Sequence, residues 1–109
     1  MNFFVEVSLT GTTLLDSRGT INLTCNATGA VRAPESVDWF HEGIIIRPQH
    51  ERWNGRLRIK MKATSRSLIS QLTIKESTLH DQGSYICRSS DRETMSIEVY
   101  ILEGKLKCS

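Results

Sequence analysis

The stretch that decides the fold lies near the end of the chain and reads Asp81-Gln82-Gly83-Ser84-Tyr85-Ile86-Cys87. After the glycine, alternate residues are predicted to point to opposite faces of one strand. Tyr85 and Cys87 are therefore predicted to face the core together. A buried tyrosine two residues before such a cysteine can direct its hydroxyl back to the backbone that enters the strand. The stretch predicts a turn followed by a central strand that carries a cysteine inward.

A second cysteine lies on an earlier alternating run, where Ile21, Leu23 and Cys25 share the inward face. Stacked sheets lie about 10 Å apart, so inward cysteines on facing strands can bridge them. Trp39 is predicted to pack against that bridge and fill the centre of a small core. In the chain-entropy model, a Cys25–Cys87 bridge would stabilise the domain by about 4 kcal/mol. The alternative is a pair of reduced core cysteines, as in cytosolic proteins.

The rest of the chain contains further short alternating runs, at a spacing that is typical of an all-β sandwich. Predicted strands span residues 3–9, 12–15, 20–26, 36–41, 44–46, 55–62, 67–75, 83–89 and 94–102, with Leu72 in the core. Residues 49–54 are predicted to form a polar loop, and residues 77–82 a crossover with a helical turn. Residues 1–103 are interpreted as one domain, and residues 104–109 as a linker or tail.

The charge of the chain argues against nucleic acid as a partner. The 109 residues include 14 lysines and arginines and 12 aspartates and glutamates, for a formal net charge of +2. The densest basic run, Arg56, Arg58, Lys60 and Lys62, alternates with apolar residues and is interpreted as the solvated face of a strand. Nucleic-acid binding calls for a clustered basic patch. No run reaches about 18 apolar residues, so any membrane attachment is expected through segments outside this chain.

The sequence contains no recognisable motif of catalytic or metal-binding chemistry. His41, His50 and His80 lack the spacing of metal ligands, and each is predicted to lie on the surface. A glycine-rich phosphate loop is also absent, and no motif brings a nucleophile and a base together. The sequence therefore predicts neither an enzyme nor a bound cofactor or metal.

Two N-glycosylation sequons, Asn22-Leu23-Thr24 and Asn26-Ala27-Thr28, lie on or beside the strand that carries Cys25. Since Leu23 and Cys25 point inward, Asn22 and Asn26 point outward on the same face of the sheet. Glycans at these positions would shield one sheet and leave the other free. The sequons also favour an extracellular protein, at the cell surface or secreted, over an intracellular one.

Cys25, Trp39 and the run from residue 81 to residue 87 together resemble the immunoglobulin superfamily, over nearly the whole chain. The resemblance implies an all-β, two-sheet Greek-key sandwich of the I-set or V-like type, with one disulfide between the sheets. In variable-like domains, the arginine of a Gly-Arg-Leu run pairs with the aspartate of the later run. By that resemblance, Arg56 is expected to form a structural salt bridge with Asp81. The alternative is two unpaired, solvated charges.

Several segments also resemble the second immunoglobulin domain of the Dpr family and the related Zig proteins, which are invertebrate neuronal surface proteins. The resemblance implies that a first domain recognises the receptor and that this domain is a membrane-proximal spacer. The polar 47–54 loop and the tail ending in Lys107-Cys108-Ser109 depart from the pattern. The segments that carry the resemblance are GTINLTC (19–25), VDWFHEG (37–43), TSRSL (64–68) and VYILEG (99–104).

A partner-binding face is predicted on the sheet that carries no sequon. Alternation places Phe40, Ile86, Arg88 and Tyr100 outward, and Ile45 on the adjoining hairpin completes an apolar patch with a charged rim. Exposed apolar patches of this kind often mark interfaces. The alternative is that hairpin packing covers Phe40 and Ile86 within the domain.

The sequence favours a non-catalytic recognition or adhesion domain of a cell-surface protein. Its expected partner is another immunoglobulin-superfamily surface protein or a second copy of itself. The alternatives are an immune-type receptor, a secreted ligand-binding domain, and an intracellular structural domain. Cys108 is the odd cysteine, which in a secreted protein indicates an intermolecular disulfide or a free thiol.

Overall fold

The computed structural model describes residues 5–103, which form two β-sheets. Two short 3-10 helices, Glu51–Trp53 and Leu79–Asp81, connect strands in this part of the chain. The strands within it are β1 (Glu6–Gly11), β2 (Leu14–Asp16), β3 (Ile21–Thr28), β4 (Val37–His41), β5 (Ile44–Ile45), β6 (Leu57–Ala63), β7 (Ser67–Ile74), β8 (Gly83–Ser89) and β9 (Thr94–Leu102).

The chain crosses repeatedly between the two sheets. One sheet has four strands in the order β1-β3-β7-β6, and the other has five in the order β2-β9-β8-β4-β5. The strands pair antiparallel, except that β2 runs parallel to β9. Each strand presents one alternating face to the space between the sheets, so both sheets contribute to one core. The predicted immunoglobulin-like sandwich is confirmed.

The core holds the two cysteines between the sheets. Cys25 on β3 and Cys87 on β8 form the predicted disulfide. The Trp39 indole lies in the same core, where its Nε1 donates a 2.8 Å hydrogen bond to Ser70 Oγ. Leu72 on β7 is fully buried. The bond to Ser70 matters because a buried indole N–H without a partner would carry a desolvation cost.

The tyrosine of the deciding stretch closes the base of the sandwich. The buried hydroxyl of Tyr85 donates to the backbone carbonyl of Asp81. Burial, reinforced by the Asp81 carboxylate, raises the pKa of Tyr85 above its usual value of 10.0, so the hydroxyl stays a donor. Gly83 has a φ of +121°, and a Cβ there would collide with the Glu42 carboxylate. The stretch therefore depends on its glycine as well as its tyrosine.

The predicted strand bounds agree best at the end of the domain, where β8 and β9 have the predicted limits. The first strand extends to Gly11 instead of ending at Leu9. The predicted crossover before β8 does contain a helical turn. Residues 3–4 and 104–109, and with them Cys108 and the predicted tail, lie outside the described residues.

The predictions for two aromatic residues are wrong. Trp53 lies in the stretch predicted to be a polar loop, but its side chain is buried in the core. His41, predicted at the surface, is buried with its ring centroid 4.5 Å from that of Tyr85. His41 Nε2 donates to the Gln82 carbonyl at 2.7 Å, and its Nδ1 accepts from Arg52 Nη2 at 3.2 Å. These two bonds satisfy both ring nitrogens and offset the cost of burying the imidazole.

Candidate partner-binding face

The outward face of the five-stranded sheet has Phe40 at its centre. On β4, Trp39 and His41 point into the core, so Phe40 points outward. Its cross-strand partners are Ile45 on β5 and Ile86 on β8. Directly opposed residues have Cβ atoms about 4.5–5.5 Å apart, which brings the three apolar side chains together.

Arg88 extends this apolar group and covers part of it. Its guanidinium carbon lies 4.7 Å from the Phe40 ring centroid, and Nη2 lies 3.2 Å from Asp38 Oδ2. The Arg88 and Asp38 side chains are 39% and 45% exposed, so solvent screens the pair. We call Phe40, Ile45, Ile86 and Arg88 the Phe40 cluster. All four are half-buried, which leaves each side chain accessible to a partner.

The structure does not bring Tyr100 into the Phe40 cluster. On β9, the residue opposite Ile86 is Ser96, and Tyr100 lies about 13 Å further along the strand, at about 3.3 Å per residue. Tyr100 instead pairs with Leu14 on β2. Both are strongly exposed, so they form a separate apolar spot at the other edge of the sheet.

A cavity of about 450 Å³ adjoins the Phe40 cluster at the β4–β5 hairpin. Its apolar lining includes Ile44, Ile45 and Trp53, while Arg47 and His50 contribute polar groups. Ile44 is 71% exposed at this edge of the sheet. Since Ile45 belongs to both, the apolar surface of the cluster continues into the cavity. Sequence alternation alone does not reveal this extension, because Trp53 reaches it from a short 3-10 helix.

Arg56 and Asp81 meet at the base of the sandwich, away from the Phe40 cluster. Arg56 Nη1 lies 2.9 Å from Asp81 Oδ2, and Nη2 lies 3.4 Å from Oδ1. Asp81 Oδ2 also accepts the backbone N–H of Thr78 at 2.9 Å and caps the short helix. The Asp81 side chain is only 1% exposed. These contacts give the pair a structural role, because they join the residue just before β6 to the helical turn before β8.

The two sequon asparagines lie on β3, on the outward face of the four-stranded sheet. Asn22 is exposed, and its Oδ1 accepts from Thr73 Oγ1 at 3.1 Å. Asn26 is half-buried, and its Oδ1 accepts from the hydroxyl of Thr28 at 3.1 Å. Both are thus on the opposite side of the sandwich from the Phe40 cluster.

Within residues 5–103, no group of three or more histidine, cysteine, aspartate and glutamate side chains is placed to hold a metal ion. The same part of the chain has no helix with the length and apolarity to cross a membrane.

Comparison with known proteins identifies the fold. A family model described as "Immunoglobulin domain" matches residues 5–90. No curated protein matches the chain at a significant level. A similar solved structure is that of Dpr2 Ig1-Ig2 in complex with DIP-Theta Ig1-Ig3, with a TM-score of 0.73 and 20% sequence identity. The match covers 92% of this chain and 50% of that chain, so this chain spans about half of its length. At this identity, the likeness establishes the fold alone.

Proposed function

The chain belongs to the immunoglobulin domain family, and we propose that it is a recognition domain of an extracellular adhesion protein. The family is generally non-catalytic. The proposed partner is an immunoglobulin-type domain, carried by another surface protein or by a second copy of this chain. We place the contact on the Phe40 cluster and the adjoining cavity. Residues 104–109, with Cys108, are proposed to be a tail outside the domain.

The Phe40 cluster is the observation that carries this proposal. An aromatic ring between two isoleucines, with an arginine stacked on it, has the composition that is enriched in protein interfaces. Its four members lie on three neighbouring strands of one sheet, so their positions are set by backbone pairing before a partner arrives. A preorganised face of this kind loses little conformational entropy on binding.

The proposed extracellular location is supported by two features of the four-stranded sheet and the core. The Cys25–Cys87 disulfide is typical of proteins that fold in an oxidising compartment. Asn22 and Asn26 both lie on an outward face where a glycan can be attached. The neuronal setting is proposed from the resemblance of the sequence segments to the Dpr family. The similar structure is itself a complex between immunoglobulin-domain proteins.

The experiment is a binding screen of the domain against a library of extracellular immunoglobulin-domain proteins, including the domain itself. Ile86→Asp is the test variant, and Ile69→Asp is the matched control. Both residues are half-buried, outward isoleucines in mid-strand, but Ile69 lies on the four-stranded sheet. We expect Ile86→Asp to weaken binding at least tenfold and Ile69→Asp to leave it unchanged, with thermal unfolding recorded for both. Equal binding by the two variants would refute the proposed contact.

A second candidate function, that of a spacer, is favoured by the contacts of Arg88. Its stacking on Phe40 and its pair with Asp38 already cover part of the aromatic ring within the domain. A spacer would bind nothing in the screen by itself. Binding that requires a neighbouring domain, and that Ile86→Asp leaves unchanged, would favour the spacer over the recognition domain.

A further inference from the structure

The edge of the four-stranded sheet carries a straight row of positive charge. Strand β6 is the last strand of that sheet, and Arg58, Lys60 and Lys62 alternate along its outward face. All three are exposed. Alternate residues of a strand lie about 6.7 Å apart, so the three charges span about 13 Å in one line. We call these three residues the β6 row.

Nothing on the neighbouring strand neutralises the β6 row. Its cross-strand partners on β7 are the uncharged Thr73, Gln71 and Ile69. Within residues 5–103, none of the three basic side chains takes part in a salt bridge.

The sheet beyond β7 is also uncharged until its far edge. The outward residues of β3 are asparagines and threonines. The nearest acid along the sheet is Glu6 on β1, three strands away, or about 14 Å at about 4.8 Å per strand. That separation exceeds the Debye length of about 8–10 Å, so the acidic residue of this sheet face lies too far away to neutralise the row.

We propose that the β6 row binds a sulfated polysaccharide. A linear polyanion can lie along a straight row of cations and meet each one in turn, and arginine and lysine both donate to oxyanions through charge-assisted hydrogen bonds. The proposal takes its setting from the extracellular location proposed above, where such polymers occur. It does not depend on the Phe40 cluster, which lies on the other sheet.

Two other polyanions fit this face less well. Single-stranded nucleic acid is held by aromatic side chains on which its bases stack, and the outward residues of β1, β3, β6 and β7 include none. Anionic membranes are recognised by clusters of about four to eight basic residues beside an anchor or amphipathic helix, and the row has three on a strand. A row of charge at a sheet edge also discourages edge-to-edge pairing, but that role predicts no preference for a sulfated ligand.

The test compares two triple variants of equal net charge on immobilised heparin. The first is Arg58→Gln, Lys60→Gln and Lys62→Gln. The matched control is Arg18→Gln, Arg32→Gln and Arg92→Gln, which removes three exposed loop cations. We expect the first variant to raise the apparent Kd for heparin at least tenfold and the control to change it less than twofold. The slope of log Kd against log salt should fall by roughly 2 to 3 in the first variant only.

Four outcomes would overturn the proposal. The first two are an equal rise in the Kd for heparin in both triple variants, and no rise in the first variant. The third is binding of desulfated heparin as tight as that of heparin. The fourth is binding of duplex DNA or phosphatidylserine vesicles as tight as that of heparin at the same salt. Thermal unfolding of each variant shows whether a loss comes from the fold. The wild-type partner screen is run separately, so failure of heparin binding and failure of the Phe40 contact are distinguishable.

Discussion

Two kinds of contact occur both at the base of the sandwich and on its five-stranded face, but in different surroundings. One is an arginine stacked on an aromatic ring, and the other is an arginine–aspartate ion pair. At the base, the Arg52 guanidinium carbon lies 3.8 Å from the Trp53 ring centroid, and Arg56 lies 2.9 Å from Asp81. Trp53 and Asp81 are both buried there. These contacts hold two loops against the core.

On the face, Arg88 lies 4.7 Å from the Phe40 ring centroid and 3.2 Å from Asp38. Here the aspartate is 45% exposed, and the aromatic ring is half-buried. Exposed ion pairs contribute about 0–1 kcal/mol, whereas breaking a buried pair is strongly destabilising. The comparison indicates that burial, and not the residue types, makes one arginine–aspartate pair important for stability, while the other stays accessible at the surface.

The largest expected difference comes from removing one charge in each ion pair. We expect Asp81→Asn to lower the free energy of unfolding by about 2–3 kcal/mol, because Asp81 also accepts the Thr78 N–H and partners Arg56. Asp38→Asn should cost less than about 1 kcal/mol. Urea denaturation measures both. Equal losses would show that burial does not separate the two pairs.

A smaller effect is expected from Tyr85→Phe, which removes the hydroxyl bond at the base. The loss at neutral pH should be about 1–2 kcal/mol. Because the pKa of Tyr85 is raised by burial, the unfolded state binds fewer protons than the folded state above pH 10. Stability should therefore fall as the pH rises above about 10, by up to about 1.4 kcal/mol per pH unit from this group. Between about pH 9 and 11, the free energy of unfolding should fall less steeply for Tyr85→Phe than for the wild type. Denaturation curves at each pH measure this, and parallel pH profiles of the two proteins would contradict this account.

The smallest effect is expected for Arg88→Ala, at less than about 1 kcal/mol of stability, since its stacking and ion pair are solvent-exposed. Arg52→Ala is the comparison at the base. It should cost about 1–2 kcal/mol, because it leaves the buried His41 Nδ1 without its donor. Thermal or chemical unfolding of the two variants checks the ranking. A larger loss from Arg88→Ala would mean that the face, too, is part of the structural framework.

The sequence predicted much of the fold because alternation is a local property. Cys25, Trp39, Tyr85 and Cys87 each face the core as their position in an alternating run indicates. The outward direction of Phe40 follows from the same rule. These side-chain directions could be predicted without knowing the order of the strands in the two sheets.

The positions of Trp53 and Tyr100 were not predicted from the sequence, because they depend on contacts with segments that are distant in the chain. Trp53 stands in a polar stretch without periodicity, and it is buried because a short helix turns it against His41. A large aromatic residue amid polar neighbours was the only signal available. Tyr100 faces the same side as the Phe40 cluster, but the pairing register of β9 with β8 places it elsewhere.

By itself, the sequence determined the sandwich, the disulfide and the tyrosine at its base, with Asp81 to Cys87 as the deciding stretch. Two-residue periodicity and the turn glycine act over a few residues, so they can be recognised without tertiary structure. Only the tertiary structure decided which arginine is buried with its aspartate, which apolar residues meet around Phe40, and that uncharged residues lie beside Arg58, Lys60 and Lys62 in the sheet. Those outcomes depend on strand order and register, which bring together residues far apart in the chain.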